Sequence, residues 1–492
     1  MRRILPAIIL FCLVSVPLTA QDESAEELFN DADFFYTQEE DYEEAAYLYR
    51  RLLHKEPDNA HVKYLLGMCY LNILGQEHLA IPYFLEATGD ISLDFKANRY
   101  SEKDAPHHTW YYLAEAYRVT NQLDESLDAL DNFQSIMNFE KKYNQRITEE
   151  ARAAIERAKI IKDAPLEVIT HCYDEPINTT GDDYSGVISA NEEMMVWISS
   201  QPFYEAVMMS TKSDSGWTIP VNITPQIRSD GDLFPTGLSA DGTMMLLVKR
   251  TDDETDIWYS MYDEMIWSPA VPMHGEVNSR WVEDHASFHP NGNRIYLSSD
   301  RRGSEGGLDI YYSDRMPDGR WGEPVNMGEV INTDKDETSA YVSPDSSRFI
   351  FCSKGHFNMG GFDIFRCEKE EDGSWSTPVN FGFPINTTGD NTFFVPLQDG
   401  MSGLYSRYTR DGVGERDLWF VQVVPEDGVV RTTLPVTGAP KGLSHKDFAL
   451  IVVDETTGEE IEIIYDAETD SFRALAGPDK SYRVISYKQK QP

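Results

Sequence analysis

Between residues 22 and 165 apolar side chains recur three and four positions apart, which places them on one stripe of a helix. From residue 166 to about 424 they recur at every second position, in short runs separated by Gly, Asp, Asn and Ser, the pattern of half-buried strands and tight turns. A helical part is therefore followed by an all-β part. Four more strands, Phe448–Val453, Glu460–Tyr465, Ser471–Ala474 and Tyr482–Tyr487, are predicted in a tail covering 432–492. At the other end, Arg2 and Arg3 precede an apolar run, Ile4–Val16, and then Pro17-Leu18-Thr19-Ala20, so residues 1–20 read as an export signal cleaved after Ala20. The run is too short for a membrane span, and the mature chain is expected to be soluble or held at a membrane by a partner.

In the helical part the pattern itself repeats. Phe29, Ala32, Tyr36, Ala45, Tyr49 and Pro57 fall at relative positions 4, 7, 11, 20, 24 and 32 of a first unit. Leu66-Gly67 and Tyr70 take places 7-8 and 11 of a second, with Ala80, Phe84 and Ala87 one residue late, and Trp110, Leu113-Ala114 and Tyr117 restore the phase in a third. This large-small pattern resembles the tetratricopeptide repeat, in which small residues admit a neighbouring helix and aromatics fill the space between the pair. A further helix from Thr148 to about Lys162, capped by Thr148, is expected to close the array. The groove of such an array is a protein- or peptide-binding surface.

In the β part a longer phrase repeats: GWTIPVN from Gly216, IWSPAVP from Ile266, RWGEPVN from Arg320 and SWSTPVN from Ser374. Five openings align as well, INTTGDD from Ile177, IRSDGDL from Ile227, VNSRWVED from Val277, INTDKDE from Ile331 and INTTGDN from Ile385. Each opening leads into a strand, a turn and a second strand, and third strands start at Asp256, Asp309, Asp363 and Asp417. Four strands per unit make a propeller blade. The fifth unit lacks the Trp-x-x-Pro-Val segment, while Leu166–Tyr173 is a strand with no unit. Pairing the two closes a five-bladed ring and removes both edges. The Ser-Pro-Asp-Ser and Ser-Ala-Asp-Gly turns, with Asp-Ile-Tyr/Phe/Trp strands, resemble the PD40 repeat, the WD40-like blade of TolB-type periplasmic propellers. The predicted architecture is thus multidomain, α then β: a tetratricopeptide α-solenoid (22–165), a five-bladed β-propeller (166–424) and a small C-terminal β-sandwich-like domain (432–492). The run from Phe448 to Glu462 resembles the start of a carboxypeptidase-regulatory-like domain.

Composition narrows the function. With 43 Lys and Arg against 83 Asp and Glu, the net charge is −40, and nucleic-acid binding, which needs a clustered positive surface, is excluded. Asp182, Asp232, Asp336 and Asp390 each stand seven residues before the first turn of a blade; the third repeat has Val282 there, followed by Glu283 and Asp284. Such carboxylates either ring the propeller axis, where they would hold a cation or a basic segment of a partner, or cap the turn leading into each blade. Asp252-Asp253-Glu254 reads as a solvated turn. No G-x-S-x-G elbow, no His-Glu-x-x-His and no arginine triad is present, and Met316–Trp321 and Glu370–Trp375, which bear a loose likeness to sialidase Asp boxes, read as Asp-Gly hairpin turns. Neither an enzyme nor a cofactor is indicated. Cys352 and Cys367 lie on neighbouring strands, where export permits a disulfide and two buried thiols are the alternative. Cys12 follows Leu10-Phe11 rather than small residues, which argues against lipidation.

Export signal, tetratricopeptide repeats, PD40 propeller and regulatory-like domain, in that order, resemble a family of Bacteroidota envelope proteins. Its longer members end in an OmpA-like domain, and some serve the type IX secretion and gliding machinery. The resemblance implies a non-catalytic periplasmic scaffold at the outer membrane that binds other envelope proteins through groove and propeller face. The chain lacks the OmpA-like domain, so contact with peptidoglycan or membrane is expected only through partners. The alternative is a propeller that binds glycans or peptidoglycan fragments.

Overall fold

The computed structural model describes residues 23–424, apart from 214–215, 252–254, 264, 275 and 411. Beyond them it describes the backbone of the strands at 431–432, 448–454, 460–461, 463–466, 471–475 and 482–488. The segment read as an export signal, with Cys12, and residues 252–254, read as a solvated turn, lie outside the described residues. The chain divides into two compact units, one reaching Tyr117 and including Ala129–Ser135, the other comprising Arg118–Asp128 and the chain from Ile136 onward.

The helices pair as the repeat predicts, α1 (Ala25–Phe34) with α2 (Tyr42–Lys55) and α3 (Ala60–Asn72) with α4 (Ala80–Ala87); α5 (Thr109–Val119) and α6 (Leu123–Gln134) follow in sequence. Local chemistry fixes the starts. Ser24 and Glu27 form a reciprocal capping box at α1, and the side chains of Asp41 and Asn59 cap α2 and α3. The large-small complementarity is literal: a Cβ built on Gly67 would lie 2.5 Å from the ring of Phe84, which is fully buried. The long connection from α4 to α5 is not a loose loop. Its Phe95 ring stands 4.8 Å from that of His61, and Lys103 pairs with Glu56 at 2.7 Å.

A short helix α7 (Phe139–Lys142) leads into α8 (Gln145–Lys162). The cap of α8 is Asn144, whose side chain accepts from the Arg146 N–H, and Thr148, expected in that role, is instead buried in the second turn. Asn precedes the helix in extended conformation with its oxygen free to reach N2, whereas Thr148 already has helical partners. On the propeller side of this unit, Arg157 of α8 donates to the Asn358 carbonyl at 2.8 Å and to its side-chain oxygen at 2.7 Å.

Five antiparallel sheets follow. Blade 1 is Asp183–Ile188, Met194–Gln201 and Tyr204–Ser213, with Gly216–Trp217 and Val221–Asn222 as a broken fourth strand. Blade 2 repeats this with Leu233–Leu238, Met244–Arg250, Thr255–Asp263 and the pieces Ile266–Trp267 and Val271–Pro272. Blade 3 is Glu283–Phe288, Arg294–Ser299, Asp309–Asp314 and Val325–Asn326, and blade 4 is Glu337–Val342, Arg348–Ser353, Asp363–Glu368 and Val379–Asn380. Blade 5 takes Val395–Leu397, Ser402–Tyr408 and Arg416–Val423 from its own repeat and its outer strand from Val168–Cys172, as the closure argument requires. The ring is five-bladed.

The innermost strands are buried on both faces, as along the whole of Glu337–Val342. Cys352 and Cys367 stand on adjacent strands but opposite Ile364 and Phe349 respectively, on opposite faces of the sheet and in different apolar clusters. Both are free buried thiols, pushed up to about 12 by burial. In the tail, two three-stranded sheets are present rather than four strands in sequence: 431–432, 471–475 and 463–466 in one, and 460–461, 448–454 and 482–488 in the other. The segment read as a single strand from Glu460 to Tyr465 thus contributes to both sheets.

Candidate functional site

The aspartates at the blade openings work across blade boundaries. Asp336 of blade 4 accepts the Leu308 N–H of blade 3 at 3.1 Å, Asp390 of blade 5 accepts the Phe362 N–H of blade 4 at 2.8 Å, and Asp182 of blade 1 accepts the Arg416 N–H of blade 5 at 3.0 Å. In each case the donor is the residue just before the repeated Asp of the third strand. Asp232 instead bonds within its own opening, to Ser229 and the Asp230 N–H, and pairs with Lys249 at 3.1 Å. At the third repeat, where Val282 breaks the pattern, Asp284 reaches back to Arg250 of blade 2 at 3.0 Å.

Cations accompany most of these carboxylates: Lys354 pairs with Asp336 at 3.0 Å, and the Arg416 guanidinium embraces Asp182. Burial raises the Asp336 carboxyl, but Lys354 and the Leu308 N–H outweigh it and hold it below the usual carboxylate range. The four aspartates are therefore separate sites, each with its own donors, and Asp182, Asp336 and Asp390 reach across a blade boundary while Asp232 does not. Among the described residues no group of three or more His, Cys, Asp and Glu side chains is placed to hold a metal ion.

The repeated asparagines form a second set of clasps that sequence reasoning had not separated from turn chemistry. Asn332 accepts the Ile310 N–H at 2.8 Å and donates to the Ile310 carbonyl at 3.0 Å, so its amide imitates a strand partner for the third strand of the preceding blade. Asn278 treats Ile257 in this way, Asn386 treats Ile364, and Asn178 treats Leu418. The junction of blades 1 and 2 lacks the Asn, and there the Thr224 hydroxyl takes the Val207 N–H at 2.8 Å. The Asn of Pro-Val-Asn completes the network: Asn326 and Asn380 donate to Asp309 and Asp363 at 2.7 and 2.6 Å while accepting from Asn332 and Asn386.

The acids that begin the inner strands are committed to their own loops. Asp183 accepts from the Thr179 N–H and hydroxyl and from Trp197, Glu283 from Ser279, Ser299 and Arg301, and Glu337 from Thr333 and Ser353. A glycoside-cleaving pair needs one carboxylic acid free to protonate a leaving group and a second carboxylate free to act on the sugar or a water. These carboxylates already hold donors from the protein.

Bulges interrupt the inner strands near the axis, and Ser185, Ser339 and Phe393 adopt left-handed backbone with φ of 50°, 52° and 66°. For a residue as bulky as Phe393 this conformation costs of order 1–3 kcal/mol and persists because the surroundings enforce it. The Phe393 ring packs 5.5 Å from His285 and 6.2 Å from Tyr341, and the Tyr341 hydroxyl donates to the Thr236 carbonyl at 2.8 Å. Burial holds the His285 imidazole down at about 3, so it is neutral at ordinary pH. Residues of blades 2, 3, 4 and 5 thus meet and fill this stretch of the axis. Past them lies a cavity of about 40 Å³ lined by inner-strand residues of all five blades, among them Val187, Leu238, Ser287, Val342 and Val395. That is room for roughly three water molecules, and too little for a peptide or sugar to pass through. In the helical unit, a larger cavity of about 540 Å³ lies on α2 and α3, lined by Tyr47, Tyr70 and Ile73 together with Asp41, Glu43 and Glu44.

The tetratricopeptide repeat family matches residues 36–73, the stretch from the end of the first helix through α3. No match is found among curated proteins. Among solved structures, TolB from Acinetobacter baumannii is similar at 12% identity and a TM-score of 0.32, covering 49% of this chain and 54% of that one. The chain thus spans about half the length of that TolB. An α-L-arabinofuranosidase from Podospora anserina in complex with cellotriose is similar at 12% identity and a TM-score of 0.34 over 51% and 93% of the two chains. A thermostable family-43 glycoside hydrolase reaches 13% and 0.36 over 51% and 96%. The propeller rests on the strand pairing described above, not on these likenesses.

Proposed function

We propose that the chain is a non-catalytic scaffold of the bacterial envelope, whose helical repeats and propeller each hold a different protein partner. Its place is the periplasm, at the outer membrane through its partners, in an assembly of the kind that serves type IX secretion or gliding. The observation that supports a scaffold over an enzyme is the commitment of the repeated polar residues. The asparagines and most of the aspartates that mark the blades tie one blade to the next, and the acids of the inner strands close their own loops. What remains for function is surface, and the tetratricopeptide match adds a module that binds by surface. Among the described residues no helix is long and apolar enough to cross a membrane.

The test is affinity capture of the tagged chain from cross-linked envelope fractions, with quantitative mass spectrometry and fractionation of the compartments. A stoichiometric protein complex in the periplasmic or outer-membrane fraction is expected. A monomer that binds muropeptides or oligosaccharides, or that hydrolyses them, would replace this reading with the glycan-binding or the enzymatic one.

A further inference from the structure

The blades share one strand order, and the residue pairs they set at the same register can be compared. Where the second strand meets the third, blade 3 sets Arg294 opposite Asp314, guanidinium to carboxylate at 2.6 and 2.9 Å, and blade 4 sets Arg348 opposite Glu368 at 2.9 Å. The same register holds Met194 opposite Thr211 in blade 1, Ser402 opposite Gln422 in blade 5 and Met244 opposite Met261 in blade 2. Blade 2 is the one that sets two thioethers here, and Met261 is 43% exposed.

A groove of about 250 Å³ lies beside this pair. Met244, Tyr259, Met261 and Met273 of the blade 2 repeat form one wall, and Trp321 of the blade 3 hairpin forms the other. The repeated tryptophans are not equivalent here. Trp267 is buried to 1% exposure, and Trp375 stacks on Phe349 at 5.4 Å, whereas blade 3 has the smaller Ile295 at the place of Phe349 and Trp321 borders open space. Apolar surface continues outward through Met265, 81% exposed, and Ile266.

Two features select the occupant. The volume is below the roughly 300–1,000 Å³ of a small-molecule cleft, so the groove suits one anchoring side chain of a larger partner. The rim is basic in a chain of net charge −40: His274, Arg315 and Arg320 border it. Arg320 is paired with Asp318 at 2.7 Å, but Arg315, whose guanidinium lies 6.0 Å from the Trp321 ring, has no carboxylate partner among the described residues. We propose that this groove docks a partner protein through a bulky apolar side chain flanked by carboxylates. Methionines suit such a surface because unbranched thioethers repack around the side chain they receive. The proposal rests on the scaffold reading and adds to it a surface and a partner chemistry.

The test pans a random 12-residue peptide display library on the whole chain and measures the enriched sequences as labelled synthetic peptides by fluorescence polarisation. Enrichment of sequences with one aromatic or long aliphatic residue beside Asp or Glu is expected. Their affinity should fall at least tenfold in the double variant Met244→Arg with Met261→Asp, which installs the ion pair of blade 3 and so has a template for folding, and in Arg315→Glu. Enrichment of no such sequence, or affinity unchanged in both variants, overturns the proposal. A dimer of the chain that dissociates on M244R/M261D would also overturn it, by making a second copy the occupant. If the envelope complex forms with M244R/M261D as it does with the parent chain, this surface is excluded while the scaffold reading stands.

Discussion

Asn332→Ala removes one side chain from the boundary of blades 3 and 4, and its cost can be worked from the bonds it makes. The Ile310 carbonyl keeps the Met327 N–H at 3.0 Å, so it stays satisfied. The Ile310 N–H, buried at the start of a strand, loses its acceptor. An orphaned buried donor costs about 1–3 kcal/mol, and the two hydrogen bonds donated by the Asn332 amide, to Ile310 and to Asn326, add about 0.5–1.5 each. The sum is about 2–6 kcal/mol, with the lower half favoured where a water can enter. At about 2–4 °C per kcal/mol for a unit of 150–250 residues, the melting temperature should fall by about 6–12 °C for a loss of 3 kcal/mol. Arg228 is the control. It stands at the same place in the blade 2 opening but ends a one-turn helix, and Thr224 makes the cross-blade bond there. Arg228→Ala should change stability by no more than about 0.5 kcal/mol. Thermal and urea unfolding followed by circular dichroism measure both variants. An Asn332→Ala protein as stable as Arg228→Ala would show that the amide is not a clasp but a bystander in a turn.

Gly67→Ala should lose up to about 2 kcal/mol in the helical unit, because overpacking against Phe84 costs about 1–3 kcal/mol while the helix gains about 1 from replacing Gly; a stabilised variant in urea unfolding would contradict the large-small reading. Cys352 and Cys367 should not react with a thiol reagent at pH 8 until the chain is unfolded, after which both should react. A Cys352–Cys367 disulfide peptide in a non-reducing digest would refute this. Burial raises the Asp363 carboxyl to about 7, against the smaller opposing effects of Asn380 and the Met359 N–H. The folded state then binds a proton that the unfolded state has already released, so this group lowers stability as pH rises from about 4 to about 7. Asp363→Asn should flatten that part of the stability curve, and an unchanged slope between pH 4 and 7 would reject the assignment.

Period and repeat were legible in the sequence because they are local, and the missing Trp-x-x-Pro-Val of the fifth unit was legible because an absence in a repeat leaves an unpaired edge. What each repeated residue does was not legible in the same way. Asn332 and its bonding partner Ile310 are 22 positions apart on different blades, and no spacing rule within an opening distinguishes a turn cap from a clasp across the boundary. Asp336 and Asp390 carry the same ambiguity, which only the position of Leu308 and Phe362 resolves. The cap of α8 is ambiguous in sequence for a related reason: Thr148 and Asn144 both satisfy the composition rule, and only the bond from the Arg146 N–H to the Asn144 side chain decides between them.

The candidate surface was hidden one level deeper. Met244 and Met261 are unremarked in sequence, since neither belongs to a repeated phrase, and only the strand register sets them opposite one another in the place of Arg294 and Asp314. A repeat protein is bound to keep the residues that hold neighbouring units together, as the Asn and Asp clasps do. It is free to vary those whose loss changes only the outer surface. Exposed ion pairs contribute little to stability, about 0–1 kcal/mol, so replacing one with two methionines leaves the ring closed while altering what the blade presents. In such a fold the phrases that repeat identify the architecture, and the places to look for binding are the registers at which the blades differ from one another.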